Sequence, residues 1–465
     1  MEDKKKEQLF EIAPIPQAVM TLAIPTILSS LVMVLYNLAD TYFVGMLNDP
    51  VQNAAVTLAA PVLLAFNAIN NLFGVGSSSM MSRALGRKDY ETVRRSSAFG
   101  FYGALTCGVL FSLAFILLWD PALRLLGVDG DTVQATGGYL FWTVVCGAAP
   151  AILNVVMANL VRSEGAAFHA SVGTMSGCLL NIVLDPIFIM PWGLGMGAAG
   201  AGLATFLSNC AACLYFFALL FIRRGRTYVC VNPRAFRLSR EIVAGVCGVG
   251  IPAAIQNLLN VTGMTVLNNF TSGYGSAAVA AMGIAQRINM VSLYIALGLS
   301  QGVMPLLSYN FGSGNFRRLK ETLLFCLKLS VSVMILSSAG CFLGAERLVS
   351  LFMENGEIVA LGGSLLQGMC LAIPFLCVDF LAVGVFQACG MGRRALVFAI
   401  LRKIVLEIPA LVVWNTVRPL YGLSYAQATA EVVMTVLAAF TLRKLFKELE
   451  SQKHFQNKGI FCQRY

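Results

Sequence analysis

Long apolar runs separated by short polar segments follow one another along the whole chain. A membrane-spanning helix needs about 20 mostly apolar residues, and twelve runs of sufficient length can be marked. The predicted spans are residues 16–44, 52–80, 96–119, 133–158, 166–190, 197–222, 242–269, 277–307, 321–344, 360–387, 395–415 and 421–442. The pattern therefore predicts an all-α membrane protein with twelve transmembrane helices.

The composition of the 465 residues agrees with this pattern. Hydrophobic residues make up 57% of the chain and charged residues only 12%, with a mean hydropathy of +0.75. A soluble domain has roughly 25% charged residues, so this chain has too little charge to cover a water-soluble globule. A membrane β-barrel would show short alternating segments instead of long apolar runs.

The basic residues set the expected orientation. Placing the loops alternately on two sides puts 28 of the 33 basic residues on one side, including Arg162, Arg402 and Lys403. Positive charge accumulates on the cytoplasmic side of membrane proteins, so both termini are predicted to be cytoplasmic. Arg402 and Lys403 fall within the predicted span 395–415 although they are counted with this side, and the other basic residues within spans are Arg287 and Lys328. The net charge of +10 then faces membrane lipid, and a nucleic-acid partner is not expected.

The second half of the chain repeats the first. Ile24-Pro25 recurs as Ile251-Pro252, residues 82–90 recur as 308–316, and residues 182–185 recur as 404–407. Each half holds six spans, so both enter the membrane in the same sense and form two pseudo-symmetric six-helix lobes. The predicted divisions are an N-terminal lobe at 1–222, a linker at 223–240, a C-terminal lobe at 241–446 and a cytoplasmic tail at 447–465.

Pro25 and Pro252 occupy equivalent places in the first span of each half. Proline removes a backbone hydrogen bond inside a helix and bends it. A static kink and a moving gate are both compatible with one such proline. Its recurrence in both halves favours a shared gating helix.

Carboxylates are expensive at membrane depth, by at least about 2.5–3.5 kcal/mol. Apart from Glu321 at the first residue of a span, those in the predicted spans are Asp40, Asp185, Asp379, Glu407 and Glu431. Asn181 and Asp185 are four residues apart and share one helical face, so they could form a polar pocket with Asp40. Burial disfavours the charged form of a carboxyl group, which suits a proton carrier, whereas an ionised pair would hold a cation.

The alternative for each carboxylate is an interfacial position or a hydrogen bond between packed helices. We favour a functional role for Asp40 and Asp185, leave Asp379 and Glu407 open, and favour a packing role for Glu431. Arg287 is the expected internal partner for one of these acids.

Catalytic and cofactor motifs are not expected. Residues 195–200 fit a GxGxxG pattern but follow a Pro-Trp-Gly loop, and the pair Cys210 and Cys213 lies inside an apolar helix. His169 and His454 show no metal-ligand or triad spacing. The sequence therefore predicts a protein that is not an enzyme and has no cofactor and no resident metal.

Five segments, taken in order, resemble the multidrug and toxic compound extrusion (MATE) family of transporters, in its prokaryotic form. They are residues 24–45, 82–87, 181–188, 195–205 and 388–392. The resemblance implies a cation or proton site at Asp40, Asn181 and Asp185, with Tyr139 and Thr205 close to it. Related sodium-coupled transporters often carry an acid in the seventh span, where this chain has Gln256 and Asn260, so a sodium site in the second lobe is less expected.

The same resemblance implies a secondary active transporter in the plasma membrane. It would export bulky, often cationic organic compounds in exchange for protons. In the mechanism we expect, protonation of Asp40 and Asp185 moves the first helix around Pro25. Asp379 and Glu407, with Gln256 and Asn260, are secondary polar candidates. The alternatives are sodium coupling, with Na⁺ at Asp40, Asn181 and Asp185, and a flippase-like carrier of a lipid-linked or amphiphilic compound. A monomer is expected.

Overall fold

The computed structural model describes residues 8–128, 130–353 and 355–456. In the first half the spanning helices are α1 (Ile15–Gly45), α2 (Pro50–Gly86), α3 (Tyr90–Leu117), α4 (Val133–Cys146 and Ala148–Ser163), α5 (Ala167–Ile189) and α6 (Ala198–Ile222). In the second half they are α7 (Arg240–Ser272), α8 (Ser276–Gly312), α9 (Phe316–Leu343), α10 (Gly356–Cys370 and Ile373–Ala388), α11 (Gly392–Val417) and α12 (Leu423–Gln456). The predicted all-α fold of twelve helices in two lobes is confirmed.

Nine of the described helices are long and apolar enough to cross a membrane unbroken, and two more spans are bent pairs. The bends are 52° in α4 and 45° in α10, which occupy the same place in the two lobes. The remaining span, α11, consists of the consecutive segments Gly392–Ile400, Leu401–Glu407 and Ile408–Val417. This span carries five charged residues, Arg393, Arg394, Arg402, Lys403 and Glu407.

Several helices are longer than the apolar runs from which they were predicted. Helix α4 continues past residue 158 to Ser163, and α12 continues to Gln456, into the stretch predicted as a tail. Polar and charged residues at these ends interrupt the apolar pattern without interrupting the helix. The ends at 1–7 and 457–465, which carry part of the predicted cytoplasmic charge, lie outside the described residues.

The two lobes meet along α1, α2, α7 and α8. Helix α1 packs against both α5 of its own lobe and α8 of the other lobe. Gly302 of α8 admits α1 closely, since a Cβ atom there would lie 2.9 Å from the Cα atom of Ala23. Pro25 of α1 is therefore next to an inter-lobe contact.

The linker between the lobes lies against the first lobe. The Tyr102 hydroxyl of α3 donates a hydrogen bond of 2.7 Å to the Val231 carbonyl, and the Tyr228 N–H donates one of 2.6 Å to Glu164. These bonds hold the connection from α6 to α7 against the ends of α3 and α4.

Candidate functional site

A polar cavity opens within the first lobe, with about 1590 Å³ of empty space including the open space at its mouth. Its walls come from α1, α2, α4, α5 and α6, and Met290 and Tyr294 of α8 close one side. Asp40, Asn181 and Thr205 line it, so three of the residues selected from the sequence share one cavity. The other two, Asp185 and Tyr139, are buried directly behind this wall.

Asn181 and Asp185 lie one turn apart on α5 and are joined by a hydrogen bond. The Asn181 amide, oriented by its hydrogen-bond partners, donates to Asp185 Oδ2 at 2.9 Å and accepts from the Thr205 N–H at 3.0 Å. The amide also lies 3.3 Å from the Thr205 hydroxyl. Asp185 has no exposed surface, so its carboxyl group depends on this protein partner.

Two tyrosines bring hydroxyl groups to the same acids. Tyr36 of α1 lies beside the Thr205 side chain, and it interacts electrostatically with Asp40 and Asp185. Tyr139 of α4 interacts with the same two acids and is 4% exposed. The pocket therefore surrounds two carboxyl groups with hydroxyl and amide donors.

Asp40 is the acid of this pair that reaches the cavity. It lines the cavity wall on α1, one turn beyond Tyr36. Its Oδ1 atom is buried and has no hydrogen-bond partner among the described residues. Asp40 also interacts electrostatically with Asp185, so a change in the charge of one acid alters the electrostatic potential at the other.

The second lobe contains a different arrangement, centred on a buried guanidinium group. Arg402 of α11 donates a 3.0 Å hydrogen bond to Asp379 of α10 and a further bond to Asn260 of α7. Its Nη1 atom is 3.8 Å from Oε1 of Glu431 on α12, and its guanidinium carbon is 5.1 Å from the centre of the Phe380 ring. One cation thus connects four helices.

The other candidates of the second lobe have protein partners as well. Glu407 accepts hydrogen bonds of 2.6 and 2.7 Å from Lys403, one turn earlier on α11. Gln256 accepts a 3.2 Å hydrogen bond from Gln387. The structure therefore does not assemble Gln256, Asn260, Asp379 and Glu407 into one site.

The prediction that Arg287 is the internal partner of a buried acid was wrong. Arg287 is exposed, whereas Arg402 is 2% exposed and binds Asp379. Arg402 and Lys403 were assigned to the cytoplasmic side because charge usually marks a loop, but α11 carries them inside the lobe. Arg162, assigned to a loop for the same reason, lies on α4 and is 7% exposed.

Tyr36 and the pair Asn154–Asn209 were not selected from the sequence. Asn154 of α4 donates a 2.8 Å hydrogen bond to Asn209 of α6, on the wall of the same cavity. The spacing of Tyr36 and Asp40 by four residues is a signal that was available for the tyrosine. The asparagine pair joins two distant spans, so no local pattern indicates it.

Among the described residues, no group of three or more His, Cys, Asp or Glu side chains is arranged to hold a metal ion. The carboxyl groups of the first lobe instead face an amide and two phenol hydroxyls. This set can hold and release a proton, since the phenol hydroxyls can donate to a carboxylate or accept from a carboxylic acid and the amide can donate to a carboxylate.

Comparison with known proteins finds one matching family and several similar proteins. The sequence model of the family described as MatE matches residues 25–187 and matches again at residues 252–413, so both halves carry the same pattern. The chain is 32% identical to the multidrug export protein MepA of Staphylococcus aureus over 448 residues, covering 96% of this chain and 97% of MepA. It is 33% identical to MepA of Staphylococcus saprophyticus over 453 residues, with 97% and 98% covered.

A solved structure has the same fold. It is described as the outward-facing conformation of a multidrug resistance MATE family transporter of the MOP superfamily. The two chains superpose with a TM-score of 0.90 at 28% identity, over 96% of this chain and 98% of that one.

Proposed function

Because this chain belongs to the MATE family of transporters, we propose that it exports bulky, often cationic organic compounds across the plasma membrane in exchange for protons. The family consists of multi-pass membrane transporters of small molecules and not of enzymes. Beyond membership of this family, we propose the coupling ion, the charge of the exported compound and the residues that bind the proton.

The hydrogen bond between Asn181 and Asp185 is the observation that supports protons, rather than sodium, as the coupling ion. Its geometry turns the amide nitrogen of Asn181 toward the acid and the amide oxygen toward the Thr205 N–H. A sodium ion, like other hard cations, would need oxygen ligands in that place. With the amide in this orientation, the neighbour of Asp185 is a donor that can hold the carboxylate between proton transfers but cannot ligate a cation.

Arg402 supports the same choice in the second lobe. It binds Asp379 and approaches Glu431, so a positive charge of the protein already occupies the acid-rich part of this lobe. A metal cation entering there would have to displace the guanidinium group or share its acids. We therefore place the coupling site in the first lobe, at Asp40 and Asp185.

Helix α1 connects that site to the other lobe. Its outer part carries Tyr36 and Asp40, while Ala23 and Pro25 lie where α8 approaches closely. Protonation removes the charge on Asp40, after which α1 repacks around Pro25 and shifts its contact with α8. The membrane potential adds about 2.3 kcal/mol per 100 mV for each charge that moves inward.

The organisation of the chain follows from this proposal. The two lobes are residues 1–222 and 241–446. The linker at 223–240 and both termini are cytoplasmic. One chain suffices for transport. Pro252 lies inside α7 as Pro25 lies inside α1. A flippase would favour a strongly basic cavity, whereas Asp40 on the lining, with Asp185 buried behind it, gives the first-lobe cavity an acidic character.

Proton release on substrate binding tests the exchange directly. Purified protein in weakly buffered detergent solution should release protons when a cationic dye is added, and the Asp40→Asn variant should release fewer while remaining folded. The Asp49→Asn variant, changed at an acid that caps α2 outside the cavity, is the matched control. Dye binding without proton release by the wild type would contradict proton exchange at this site.

A further inference from the structure

A second polar cavity lies between the lobes, with about 850 Å³ of empty space including the open space at its mouth. Its walls come from α2 and α4 of the first lobe and from α7, α8 and α10 of the second. Side-chain amides from both lobes line it, including Asn71, Asn159, Gln256, Asn257 and Gln301. Amides offer both donors and acceptors, so this wall suits a polar organic compound.

Arg162 is the charged residue on this wall. It lies near the end of α4 and its side chain is 7% exposed. The Nη1 atom donates a 3.1 Å hydrogen bond to Oδ1 of Asn159, whereas the buried Nε atom has no partner among the described residues. Asn159 therefore orients the guanidinium group and leaves a donor available.

No acid offsets this charge at the cavity. The described lining contains Arg162 and no aspartate or glutamate, and no ion pair joins Arg162 to a described residue. Arg402 reaches the same wall through Asn260, but its own charge is met by Asp379. An unpaired buried cation is costly, by several kcal/mol, unless a ligand or solvent satisfies it.

The two cavities consequently have opposite character. The first-lobe cavity carries Asp40 and no described basic residue on its lining, whereas the central cavity carries Arg162 and no acid. Guanidinium groups bind carboxylates through short, charge-assisted hydrogen bonds, and a second contact can come from the neighbouring amides.

We infer that the central cavity binds the carboxylate group of an anionic or zwitterionic organic substrate, and that Arg162 contacts this carboxylate. The inference rests on the proposed export of organic compounds and assigns Arg162 as the residue that selects cargo with a carboxylate group. Asn159 acts as the positioning residue for the guanidinium group. A zwitterion would place its acidic group here, away from the carboxyl groups of the first lobe.

A pair of dyes that differ only in this group provides the test. One is a zwitterionic rhodamine with a free carboxylate, and the other is the methyl ester of the same dye, which is a cation. Fluorescence anisotropy with the full-length protein in detergent gives the affinity for each. Arg162→Gln should weaken binding of the carboxylate dye by about tenfold or more and leave binding of the ester unchanged.

Two further variants make the result specific. Arg317→Gln removes an exposed positive charge outside the cavity and should leave both affinities unchanged. Asn159→Asp keeps the side-chain volume but places a carboxylate against Arg162, and it should cause the same selective loss. Asn159→Asp also serves if Arg162→Gln does not fold, as judged by size-exclusion chromatography.

Equal loss of affinity for both dyes would show a structural role for Arg162, and no loss for the carboxylate dye would show that it contacts no carboxylate. Either result overturns the inference. Equilibrium binding needs no ion gradient, so this result is independent of whether protons drive transport.

Discussion

Gly86 of α2 and Gly312 of α8 occupy equivalent positions in the two repeats, and each faces the backbone of the other helix. A Cβ atom on Gly86 would lie 2.1 Å from the Tyr309 carbonyl oxygen, and one on Gly312 would lie 2.1 Å from the Arg83 carbonyl oxygen. The two lobes therefore touch, at this crossing, through a pair of residues without side chains. Any larger residue must move one helix away from the other.

We expect Gly86→Ala to destabilise this arrangement by about 1–3 kcal/mol, because the added carbon atom overlaps a backbone oxygen. Gly283→Ala is the matched control on α8, since its Cβ atom would meet no atom within 4 Å. Thermal unfolding in detergent should show a lower midpoint for Gly86→Ala only. Equal midpoints for the two variants would contradict close packing at the crossing.

The bond from Asn181 to Asp185 yields a second prediction. Asn181→Leu has a similar volume but cannot donate to the buried acid, so proton-driven uptake of a cationic dye should fall about tenfold. Asn209→Leu, on the same cavity but bonded to Asn154, should retain more of the activity. Uptake into vesicles at matched protein levels provides the comparison. Wild-type rates for Asn181→Leu would exclude the proposed role of this bond.

Arg402 should be required for the stability of the second lobe. Arg402→Met leaves Asp379 buried without its cation, and breaking a buried pair in this way costs about 3–5 kcal/mol. The double variant Arg402→Met/Asp379→Asn removes the orphaned charge and should recover part of the lost stability. Thermal unfolding measures both variants, and a single variant as stable as the wild type would contradict the structural role of Arg402.

Asp89 provides a prediction about pH at the start of α3. It accepts a 3.1 Å hydrogen bond from the Thr92 N–H, and its interaction with the Thr92 side chain holds the pKa of Asp89 below its usual range. A lowered pKa in the folded protein means that the ionised cap stabilises the fold above the unfolded pKa of about 3.9, and that this contribution is lost as the pH falls.

We therefore expect wild type to be more stable than Asp89→Asn at neutral pH, by about 0.3–1 kcal/mol, with the difference vanishing in acid. Asn315 caps α9 at the equivalent position of the second repeat, with a 3.2 Å hydrogen bond from the Arg318 N–H. Asn315→Asp should show the opposite change, a gain at neutral pH that disappears in acid. Unfolding midpoints measured across pH test both, and differences independent of pH would refute the expectation.

Much of the fold could be predicted because the length of each apolar run and the repeat between the two halves can be read directly from the sequence. The spacing of Asn181 and Asp185 placed both on one face of α5, and the structure joins them by a hydrogen bond. Pro25 and Pro252 both lie inside helices, as their positions in apolar runs indicate. These relations need only the period of an α-helix.

Arg402 and Arg162 could not be assigned correctly by the same reasoning. A charge near the end of an apolar run is usually taken as part of a loop, yet α4 continues to Ser163 and α11 carries Arg402 within it. Arg402 also lies in the π-helical segment Leu401–Glu407, which departs from the ordinary helical period. Its partners Asn260, Asp379 and Glu431 come from three other spans, so only tertiary packing brings them together.

Transport under separate ion gradients tests the central claim most directly. Proteoliposomes containing wild type or Asp40→Asn are given a proton gradient alone or a sodium gradient alone, and movement of a fluorescent organic cation is followed. The account predicts transport by wild type under the proton gradient, little under the sodium gradient, and loss of proton-driven transport in Asp40→Asn. Transport that needs the sodium gradient, or full proton-driven transport by Asp40→Asn, would contradict it.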